Sequence, residues 1–356
     1  MRKVPTIILI LLLCLTWITI LNDGIVKGES NTIIVPDDYP TIQEAINTAS
    51  EGDIIFVKNG TYFEKVMINQ SLTLIGENME STIIDANKDG TPISLIHGNV
   101  TITGFTICNG SDFDGGVDFW AGVDYCNISN NRIINNPVGI DVACSDHNII
   151  FGNYLERNTA GIELGGTGGS NFNNVSNNEI INCSTGVSIA YSYNNSILQN
   201  KIVNTRRSIH LLYSYYNDFI GNEILDSKEI TIALTHSNFN LFWFNNFVNN
   251  TIISDGGWVV PPWTANSSIN IWDKEEKGNL WSDYNGSDDN EDGIGDISYF
   301  IYGNNTDNYP LMNPVDISDI PEFPSWTILP LFLVVSLVAI MIRKRINIKE
   351  TEDGLV

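Results

Sequence analysis

Residues 178–202 read NEIINCSTGVSIAYSYNNSILQNKI, and this stretch holds one complete unit of a repeat. At each end of it an asparagine stands two residues before an isoleucine, as Asn178 stands before Ile180. Residues typical of turns surround the single short alternating run, Val187-Ser188-Ile189. The asparagine recurs at spacings of 22, 25, 22, 22 and 23 residues, as Asn131, Asn153, Asn178, Asn200, Asn222 and Asn245.

A period of this length is typical of a solenoid, in which one unit cannot bury its own apolar face and must stack on its neighbours. The apolar residues that follow the asparagines are Ile133, Leu155, Ile180, Ile202, Ile224 and Phe247. Each unit also has an alternating triplet whose flanking residues we expect to point inward and whose middle residue outward. The triplets are 117–119, 140–142, 162–164, 187–189, 209–211 and Ile230-Thr231-Ile232.

Short strands separated by turns exclude helix-containing repeats. Three such strands fit one coil of about 22 residues, with like strands stacked ~4.8 Å apart in parallel sheets. Asparagine at recurring turns tolerates left-handed backbone angles and can hydrogen-bond to the coils above and below, forming a ladder. A leucine-rich horseshoe is the alternative, but the unit lacks its leucine scaffold and helical stretch. The sequence predicts an all-β fold, a right-handed parallel β-helix.

Residues 39–49 predict one short helix that caps the β-helix. Thr41 and Glu44 have the spacing of a capping box. The predicted apolar face of the helix comprises Ile42, Ala45, Ile46 and Ala49. A solenoid needs such a cover because its edge strand and core side chains would otherwise face water. We expect residues 52–57 to start the first strand and residues 72–76 and 100–105 to continue the winding.

Both ends of the chain carry apolar runs next to basic residues. Residues 7–20 follow Arg2 and Lys3, which fits a secretory signal; retention as an anchor is the alternative. Residues 326–342 number 17, the short limit for a spanning helix, and the basic triplet 343–345 follows. A buried core helix is the alternative for this second run. Both basic ends predict that the intervening body lies outside the membrane.

These features divide the chain into seven segments. Residues 1–29 are a signal peptide or signal anchor, 30–110 the N-terminal cap and first coils, and 111–250 the asparagine-rich repeats. Residues 251–313 form a closing segment, 314–325 a proline-rich linker, 326–342 a transmembrane helix and 343–356 a basic cytoplasmic tail. The predicted location is the cell surface, with the body extracellular and anchored to the membrane.

Composition narrows the classes of partner. The formal net charge of −24 argues against nucleic acid, whose phosphates need a positive surface, and suits solubility and cation capture. An extracellular body permits disulfides, and three pairings are open to Cys108, Cys126, Cys144 and Cys183. Sequons that permit glycosylation begin at Asn59, Asn69, Asn99, Asn109, Asn127, Asn174, Asn182, Asn194, Asn249, Asn266, Asn285 and Asn304.

Several stretches resemble known β-helix families. Residues 39–46, 52–53, 58–62 and 72–76 resemble the start of pectin-lyase-like right-handed β-helices. The asparagine-rich array, followed by GNLWSDY at 278–284 and DGIGD at 292–296, resembles the NosD type. The sequence PEFP at 321–324 resembles archaeal PEF-type surface-anchoring tails. The resemblance implies a fold but no single activity, because β-helices host lyases, esterases, glycosidases, epimerases and adhesins.

One outward column holds the candidate ligand-binding residues. Its predicted members are Asp118, Asp141, Glu163, Ser188, His210 and Thr231. Carboxylates on adjacent coils repel one another unless a cation or a proton lies between them. Trp120 is two residues beyond Asp118 on the same outward side, so carboxylates and an aromatic ring together compose a sugar-binding face. A solvated strand face of an acidic protein is the alternative. Nearby tyrosines are expected to stack beside the β-helix or to line a groove: Tyr191, Tyr193, Tyr213, Tyr215 and Tyr216.

Catalysis would require two of these carboxylates as acid and base, with His210 assisting. The chain lacks the basic cluster of pectate lyases and the Gln/Asp/Asp/Arg set of pectin methylesterases, so we assign no catalytic residue. Our first hypothesis is a surface protein that binds polysaccharide or has a structural role in the envelope. The alternative is a polysaccharide-active hydrolase, lyase or epimerase that uses Asp118, Asp141 and Glu163.

Residues 288–296 carry an acidic loop. Side-chain oxygens at its positions 1, 3, 5 and 9, with glycine at position 6, follow the first part of a calcium loop. The predicted ligands are Asp288, Asn290, Asp292 and Asp296, with the backbone carbonyl of Ile294. Position 12 is Tyr299 rather than glutamate, so the bidentate ligand is missing and affinity should be weak. An acidic Asx-type turn is the alternative.

The NosD resemblance also implies copper handling, which is a third hypothesis. The four histidines, His97, His147, His210 and His236, fall at unrelated positions of the repeat. The methionines Met67, Met79 and Met312 are dispersed. Because soft-metal sites need clustered sulfur or imidazole donors, we do not expect copper.

Overall fold

A computed structural model of the protein describes residues 30–111, 115–250 and 268–316, and the backbone of residues 254–255. The predicted signal segment 1–29, linker residues 317–325, the predicted span 326–342 and the tail 343–356 lie outside the described residues. Within the described residues, no helix has both the length and the apolar character needed to cross a membrane.

The described chain consists of one short helix, α1 (Ile42–Thr48), and many short strands. The first strands are β1 (Thr32–Val35), β2 (Ile54–Val57), β3 (Gly60–Tyr62), β4 (Val66–Ile68), β5 (Thr73–Gly76), β6 (Thr82–Asp85), β7 (Ile93–Leu95), β8 (Thr101–Thr103), β9 (Thr106–Cys108), β10 (Gly115–Phe119), β11 (Asn127–Ser129), β12 (Arg132–Ile134), β13 (Val138–Ala143), β14 (Ile149–Phe151), β15 (Tyr154–Glu156) and β16 (Ala160–Gly165). There follow β17 (Asn174–Ser176), β18 (Glu179–Ile181), β19 (Thr185–Ala190), β20 (Ser196–Leu198), β21 (Lys201–Val203), β22 (Arg207–Leu212), β23 (Asp218–Ile220), β24 (Glu223–Leu225), β25 (Ile230–Thr235), β26 (Leu241–Trp243), β27 (Asn246–Val248), β28 (Ser254–Asp255), β29 (Leu280–Trp281), β30 (Tyr299–Tyr302) and β31 (Asn305–Asp307).

The strands form three long sheets, and each coil adds one strand to each sheet in turn. Sheet 1 has the order β1-β2-β5-β8-β11-β14-β17-β20-β23-β26. Sheet 2 has the order β3-β6-β9-β12-β15-β18-β21-β24-β27-β29, and sheet 3 the order β4-β7-β10-β13-β16-β19-β22-β25-β28. Neighbouring strands in these sheets pair in parallel, as β13 pairs with β16. The predicted parallel β-helix with three strands per coil is therefore confirmed.

Aliphatic side chains fill the interior in stacked columns. The parallel register of sheet 2 places Ile133 between Ile107 and Leu155. Every apolar residue predicted to follow a ladder asparagine is at most 3% exposed. The strands of sheet 3 begin with small residues because the chain packs tightly there: a Cβ atom at Gly139 would lie 2.5 Å from the carbonyl oxygen of Gly161.

Buried asparagines hold the corner between sheets 1 and 2. The Oδ1 atom of Asn222 accepts hydrogen bonds from the backbone N–H and the Nδ2–H of Asn200, at 2.9 and 3.1 Å. The Nδ2 atom of Asn200 also donates to the carbonyl oxygen of Val175 at 2.8 Å. The same bonds link Asn131, Asn153, Asn178, Asn200, Asn222, Asn245 and Asn279. The predicted ladder is confirmed, but the left-handed position belongs to the preceding residue, as in Asn177.

Two further ladders hold the corner between sheets 3 and 1. Asparagines form one of them: Asn148, Asn173, Asn195, Asn217, Asn240, Asn270 and Asn305. Serine hydroxyls form the other, in which the backbone N–H of one serine donates to the hydroxyl of the serine one coil later, in the order Ser145, Ser170, Ser192, Ser214, Ser237 and Ser268. Neither ladder was predicted from the sequence, because the asparagine period that predicts the first ladder occupies a single position in each repeat.

Helix α1 packs on the core at the start of the β-helix. Its inward side chains are fully buried: Ile42, Ala45 and Ile46. The hydroxyl of Thr41 accepts the backbone N–H of Glu44 at 3.1 Å, which confirms the predicted N-cap. The carboxylate of Glu64 accepts the backbone N–H groups of Ile42 and Gln43 at 3.0 Å each. Since the first N–H groups of a helix have no partner within it, these bonds satisfy the helix start.

Stacked aromatic rings cover the other end of the core. Trp272 stacks on Phe242 and Trp281 stacks on Phe247, each pair with ring centroids 4.4 Å apart. Tyr299 then stacks on Trp281 at 4.6 Å. The core thus ends in rings whose large apolar area replaces the missing next coil.

The sequence GNLW at 278–281 marks the end of the first asparagine ladder. The carboxylate of Asp307 accepts the backbone N–H of Asn279 at 2.8 Å and the Nε1–H of Trp281 at 2.9 Å. A Cβ atom at Gly278 would collide with this carboxylate, so glycine is required there. The motif therefore has a structural role as the ladder terminus.

Two expectations about strand positions were wrong. The first strand is β1, which pairs with β2, so residues 52–57 contribute the second strand of sheet 1. Ile209 pairs with Ile232, which makes 232–234 the last triplet and places Ala233 rather than Thr231 beside His210. Thr231 is 1% exposed, because it takes the tightly packed position at the start of the sheet 3 strand.

Asn200→Ala tests the ladder at its centre. The substitution leaves the backbone N–H of Asn178 and the carbonyl of Val175 without their partners. We expect the apparent free energy of unfolding to fall by about 2–4 kcal/mol, since each buried unpaired polar group costs roughly 1–3 kcal/mol. Urea unfolding followed by tryptophan fluorescence measures the change. The matched control is Asn204→Ala, which removes a surface bond to Asn182; equal losses in both variants would contradict a special role for the ladder.

Candidate functional site

The outer face of sheet 3 brings the predicted ligand-binding residues into one column. Parallel pairing aligns Asp118 with Asp141, and Asp141 with Glu163. The column continues through Ser188 to His210. All five side chains are partly exposed. The predicted alignment of these five residues is confirmed, and their function remains a prediction.

The column is long enough for an extended ligand. From Asp118 to His210 it crosses four coil steps, roughly 19 Å at ~4.8 Å per step. Trp120 follows the end of β10, is 55% exposed, and donates its backbone N–H to the carbonyl of Leu95 at 2.9 Å. Small residues occupy the strand ends of the next coils: Ala143, Gly165 and Ala190.

Burial changes the acid–base behaviour of two residues in the column. It raises the pKa of the Glu163 carboxyl above its ordinary value. Burial, with a smaller contribution from the charge of Arg207, lowers the pKa of His210 to about 4. The imidazole is therefore neutral at neutral pH and can both donate and accept a hydrogen bond, while Glu163 is better suited to exchange a proton than an ordinary carboxylate.

A groove of about 1040 Å³ opens beside Glu163, at the corner between sheets 2 and 3. Its size is at the upper end of the range for small-molecule sites. Val138 and Ala160 form apolar parts of its lining. Its polar lining includes Lys88, Asn109, Ser111, Asn135, Arg157 and Thr159. The groove thus combines cationic donors, amide groups and one carboxyl.

Four lining residues share a left-handed backbone conformation, with φ between 56 and 60°: Lys88, Asn109, Asn135 and Arg157. They are spaced by 21, 26 and 22 residues, close to the coil period. The groove was not predicted from the sequence, because its lining residues belong neither to the asparagine ladder nor, apart from Glu163, to the outward column. The sequence signal that could have revealed the groove is a second set of residues that tolerate positive φ, recurring at the same period.

Aromatic rings crowd the corner between sheets 3 and 1. Tyr191 stacks on Tyr213 at 5.4 Å, and Tyr213 stacks on His236 at 4.9 Å. A second line of rings comprises Tyr125, His147, Phe172, Tyr216 and Phe239. All these aromatic residues have a left-handed backbone conformation, which bulky residues seldom adopt. The predicted stacking of tyrosines beside the β-helix is confirmed for the pair of Tyr191 and Tyr213.

The acidic loop at 288–296 closes on its own backbone. The carboxylate of Asp288 accepts the backbone N–H groups of Asp292 at 3.1 Å and Gly293 at 2.9 Å. Asp292 in turn accepts the N–H of Ile294 at 2.9 Å and the Nδ2–H of Asn290 at 3.0 Å. These bonds orient two carboxylates and one amide around the turn.

Asp296 and the residue at position 12 of the loop form hydrogen bonds of their own. Asp296 accepts the backbone N–H of Asp289 at 2.6 Å. Tyr299, at position 12, donates its hydroxyl to Asp283 at 3.0 Å. In the part of the chain that the structure describes, no three His, Cys, Asp or Glu side chains form a metal-binding group. The loop therefore has acidic oxygens but no preformed cage, and calcium remains a prediction.

The described residues do not fit a copper site. His147 stacks between Tyr125 and Phe172 at 5.1 and 5.2 Å, and His236 stacks on Tyr213, so these imidazoles lie in separate aromatic stacks. Soft-metal binding needs thiolates or clustered imidazoles. Burial instead raises the pKa of three thiols to about 11: Cys108, Cys126 and Cys183.

Three parallel sheets joined at corners by polar ladders define a protein of the parallel β-helix class. The family described as periplasmic copper-binding protein (NosD) matches residues 46–286. The chain belongs to this family. The match includes the three-sheet body and the terminal GNLW motif, so the structural part of the family resemblance holds, whereas the described donors do not support copper binding.

One relative and two solved structures of one enzyme are similar to parts of the chain. A cell surface glycoprotein of Methanothermus fervidus is 36% identical over 128 residues, which is 35% of this chain and 21% of the relative, so the chain spans about a fifth of that protein. DFA-IIIase from Arthrobacter chlorophenolicus A6 in complex with GF2 has 15% identity and a TM-score of 0.50, covering 64% of this chain and 72% of that one. Its complex with DFA-III has 14% identity and the same TM-score, covering 70% and 76%. At this identity the likeness shows the fold alone.

The titration of His210 tests the environment of the column. We expect its Cε1–H NMR resonance to titrate near pH 4, and near 6.5 in the urea-unfolded chain. Because the folded state binds this proton less tightly, the stability that His210 contributes is present above about pH 6.5 and is lost as the pH falls through about 4. Arg207→Gln should raise the midpoint, since the Arg207 charge opposes the imidazolium. A folded-state midpoint near 6.5 would contradict the burial of this ring.

Proposed function

We propose that the protein is exported and displays its β-helix at the cell surface, where the outer face of sheet 3 binds a polysaccharide. The observation that carries this proposal is the register of Asp118, Asp141 and Glu163 beside an open groove. A row of carboxylates accepts hydrogen bonds from successive sugar hydroxyls, and the exposed ring of Trp120 offers an apolar surface to a sugar ring. The length of the column suits a chain of sugars better than a single small molecule.

The groove supplies the complementary hydrogen-bond donors. Lys88 and Arg157 contribute positive charge to its lining, and Glu163 contributes the acidic group. The amides of Asn109 and Asn135 both donate and accept hydrogen bonds. Such mixed lining matches hydroxyl-rich ligands, whose groups also donate and accept. The groove and the acidic column together form what we name the sheet 3 face.

Export and anchoring are supported by the chain ends and by the relative. The cell surface glycoprotein similarity supports a surface location. We propose that residues 1–29 direct export, that 326–342 cross the membrane and that 343–356 face the cytoplasm. The body ends where Val315 exchanges two backbone hydrogen bonds with the amide of Asn246, at 3.0 and 3.1 Å. These two bonds hold Val315 against strand β27 of sheet 2.

A polysaccharide-active enzyme is the second candidate, and one observation favours it. Glu163 lines the groove and has a raised pKa, as a general acid requires. Asp141 lies one coil away in register, so the two carboxyl groups have the spacing that glycoside-cleaving pairs can use. In such an enzyme Glu163 would protonate the oxygen of the glycosidic bond that breaks, and Asp141 would act as nucleophile or base.

Calcium binding in the closing segment is a separate part of the proposal. Asp288, Asn290, Asp292 and Asp296 gather around the turn at Gly293, with the carbonyl of Ile294 as a further oxygen donor. When bound, a calcium ion would neutralise the charge of these carboxylates. The missing bidentate glutamate predicts an affinity in the weak range of extracellular sites.

Glycan arrays probed with the purified protein test the first proposal. We expect saturable binding, which Asp141→Asn and Trp120→Ala each weaken about 10-fold, as the loss of one charged hydrogen bond or one stacked ring implies. The control is Glu179→Gln on sheet 2, whose carboxylate pairs with Lys201 at 3.1 Å away from this face. Circular dichroism of each variant verifies folding.

The possible results separate the candidates. If the Asp141→Asn and Trp120→Ala variants bind as tightly as the Glu179→Gln control, the ligand binds elsewhere and the sheet 3 face is rejected. Release of shortened sugars, abolished by Glu163→Gln, would establish the enzyme instead. Failure to bind any glycan would reject both and leave a structural role in the envelope as the remaining function.

Calorimetric titration with calcium tests the loop. We expect a dissociation constant on the order of 10⁻⁴–10⁻³ M, because the loop lacks its twelfth-position ligand. Asp292→Asn should lower the measurable heat, since it removes one negative charge and replaces one carboxylate oxygen with an amide nitrogen that cannot bind the ion. Glu179→Gln should not alter the titration. Equal heats in the Asp292→Asn variant and the unaltered chain would refute a site at this loop.

A further inference from the structure

One coil interrupts the line of exposed rings at the corner between sheets 3 and 1. The first run of stacked rings comprises Tyr125, His147 and Phe172, with centroids 5.1 and 5.2 Å apart. The second run comprises Tyr216 and Phe239, with centroids 5.4 Å apart. Between the two runs, the same position is Asn194.

The buried ladder fixes Asn194 in register with the rings. Phe172, Asn194 and Tyr216 each stand directly before a ladder asparagine, and hydrogen bonds join the ladder asparagines of these three coils. All three residues have the same backbone angle, φ 57°. They therefore occupy equivalent places on consecutive coils, with the asparagine between two rings.

The interruption leaves a slot between two aromatic faces. Two coil rises of ~4.8 Å place the planes of Phe172 and Tyr216 roughly 10 Å apart. About 6 Å of free space remains when the van der Waals thickness of the rings is subtracted. The two rings are 50% and 57% exposed, so the slot opens to solvent. This width admits a puckered sugar ring that contacts both aromatic faces.

Asn194 also lies in a sequon that permits glycosylation. It begins the sequon Asn194-Asn195-Ser196, and its side chain is exposed. Its amide forms no hydrogen bond with another described residue, whereas the amides of the sequon asparagines Asn59 and Asn109 are hydrogen-bonded. Asn182, a sequon on the corner between sheets 2 and 3, accepts a bond from Asn204. Asn127 begins another sequon but is only 6% exposed.

We propose that Asn194 carries an N-linked glycan whose first sugar packs between the rings of Phe172 and Tyr216. The C–H groups on both faces of the sugar then contact the two rings, and the interrupted stack becomes continuous. Asn195 is 1% exposed inside the ladder, so the transfer precedes the winding of this coil. The proposal rests on the proposed export of the chain and is independent of glycan binding by the sheet 3 face.

The transfer needs a co-substrate, an oligosaccharide linked through phosphate to a polyprenyl lipid, and a membrane oligosaccharyltransferase. The Nδ2 atom of Asn194 forms a bond to the anomeric carbon of the oligosaccharide. The bond from that carbon to the lipid phosphate oxygen breaks, and the lipid phosphate leaves with the bonding electrons. One proton of the amide passes to a base of the transferase, so no oxidant or reductant is required.

Mass spectrometry of glycopeptides from the full-length protein, isolated from the cells that make it, tests the assignment. We expect most copies to carry a glycan on the peptide containing Asn194, and Asn194→Gln to remove it. In the same cells, Asn194→Gln should lower Tm by about 2–4 °C. In the Phe172→Ala background the same substitution should change Tm by less than about 1 °C, because the sugar then lacks one ring. Asn182→Gln is the matched control and should leave the modification of Asn194 unchanged.

Three results would overturn the proposal. An unmodified Asn194 peptide in an exported chain rejects the site, and protease treatment of intact cells shows whether the chain is exported. A chain retained inside the cell would reject both this inference and the proposed surface function. A modified Asn194 whose removal shifts Tm equally with and without Phe172 would reject the packing of the sugar between the rings.

Discussion

The buried asparagine carboxamide is the interaction on which the rest of the structure depends. One such group carries an acceptor oxygen and two N–H donors. It can therefore accept hydrogen bonds from the coil before it and donate hydrogen bonds to the coils on both sides. Asn200 does both, which lets the same side chain repeat along the first asparagine ladder without an unpaired buried atom. Sheet pairing alone sets the rise between strands but tolerates slippage of register. The ladders remove that freedom at the corners.

Fixed corners make the surface periodic as well as the core. Residues at one position of the repeat line up along the axis whatever their type, and the type then decides the property of each surface. Carboxylates at the middle of the sheet 3 strands form the acidic column. Cationic and amide residues at left-handed positions form the groove beside Glu163. Rings at another left-handed position form the stacks that Asn194 interrupts.

The direction of the ladders explains how the body ends. Each asparagine donates toward the following coil, so the last member has only to accept. Asp307 is suited to that position because its carboxylate accepts from Asn279, Trp281 and Tyr309. Burial still raises its pKa, although the hydrogen bonds from these neighbours oppose the shift. The aromatic rings of the closing segment cover the core at the same level. The hydrogen-bonded ladder and the apolar core therefore end together.

By itself, the sequence determined the class of fold, the capping helix, the asparagine ladder and the alignment from Asp118 to His210. These features depend on the period of the repeat and on the local alternation of apolar and polar residues. Both remain recognisable when the corners vary in length by a few residues. Thr231 was placed wrongly because its position depends on the length of the preceding corner. Only the tertiary structure brought Lys88 and Glu163, which are 75 residues apart, to one groove, and it alone showed Asn194 between two rings. The physical reason is that such contacts depend on the summed lengths of several turns, and short-range patterns do not encode that sum.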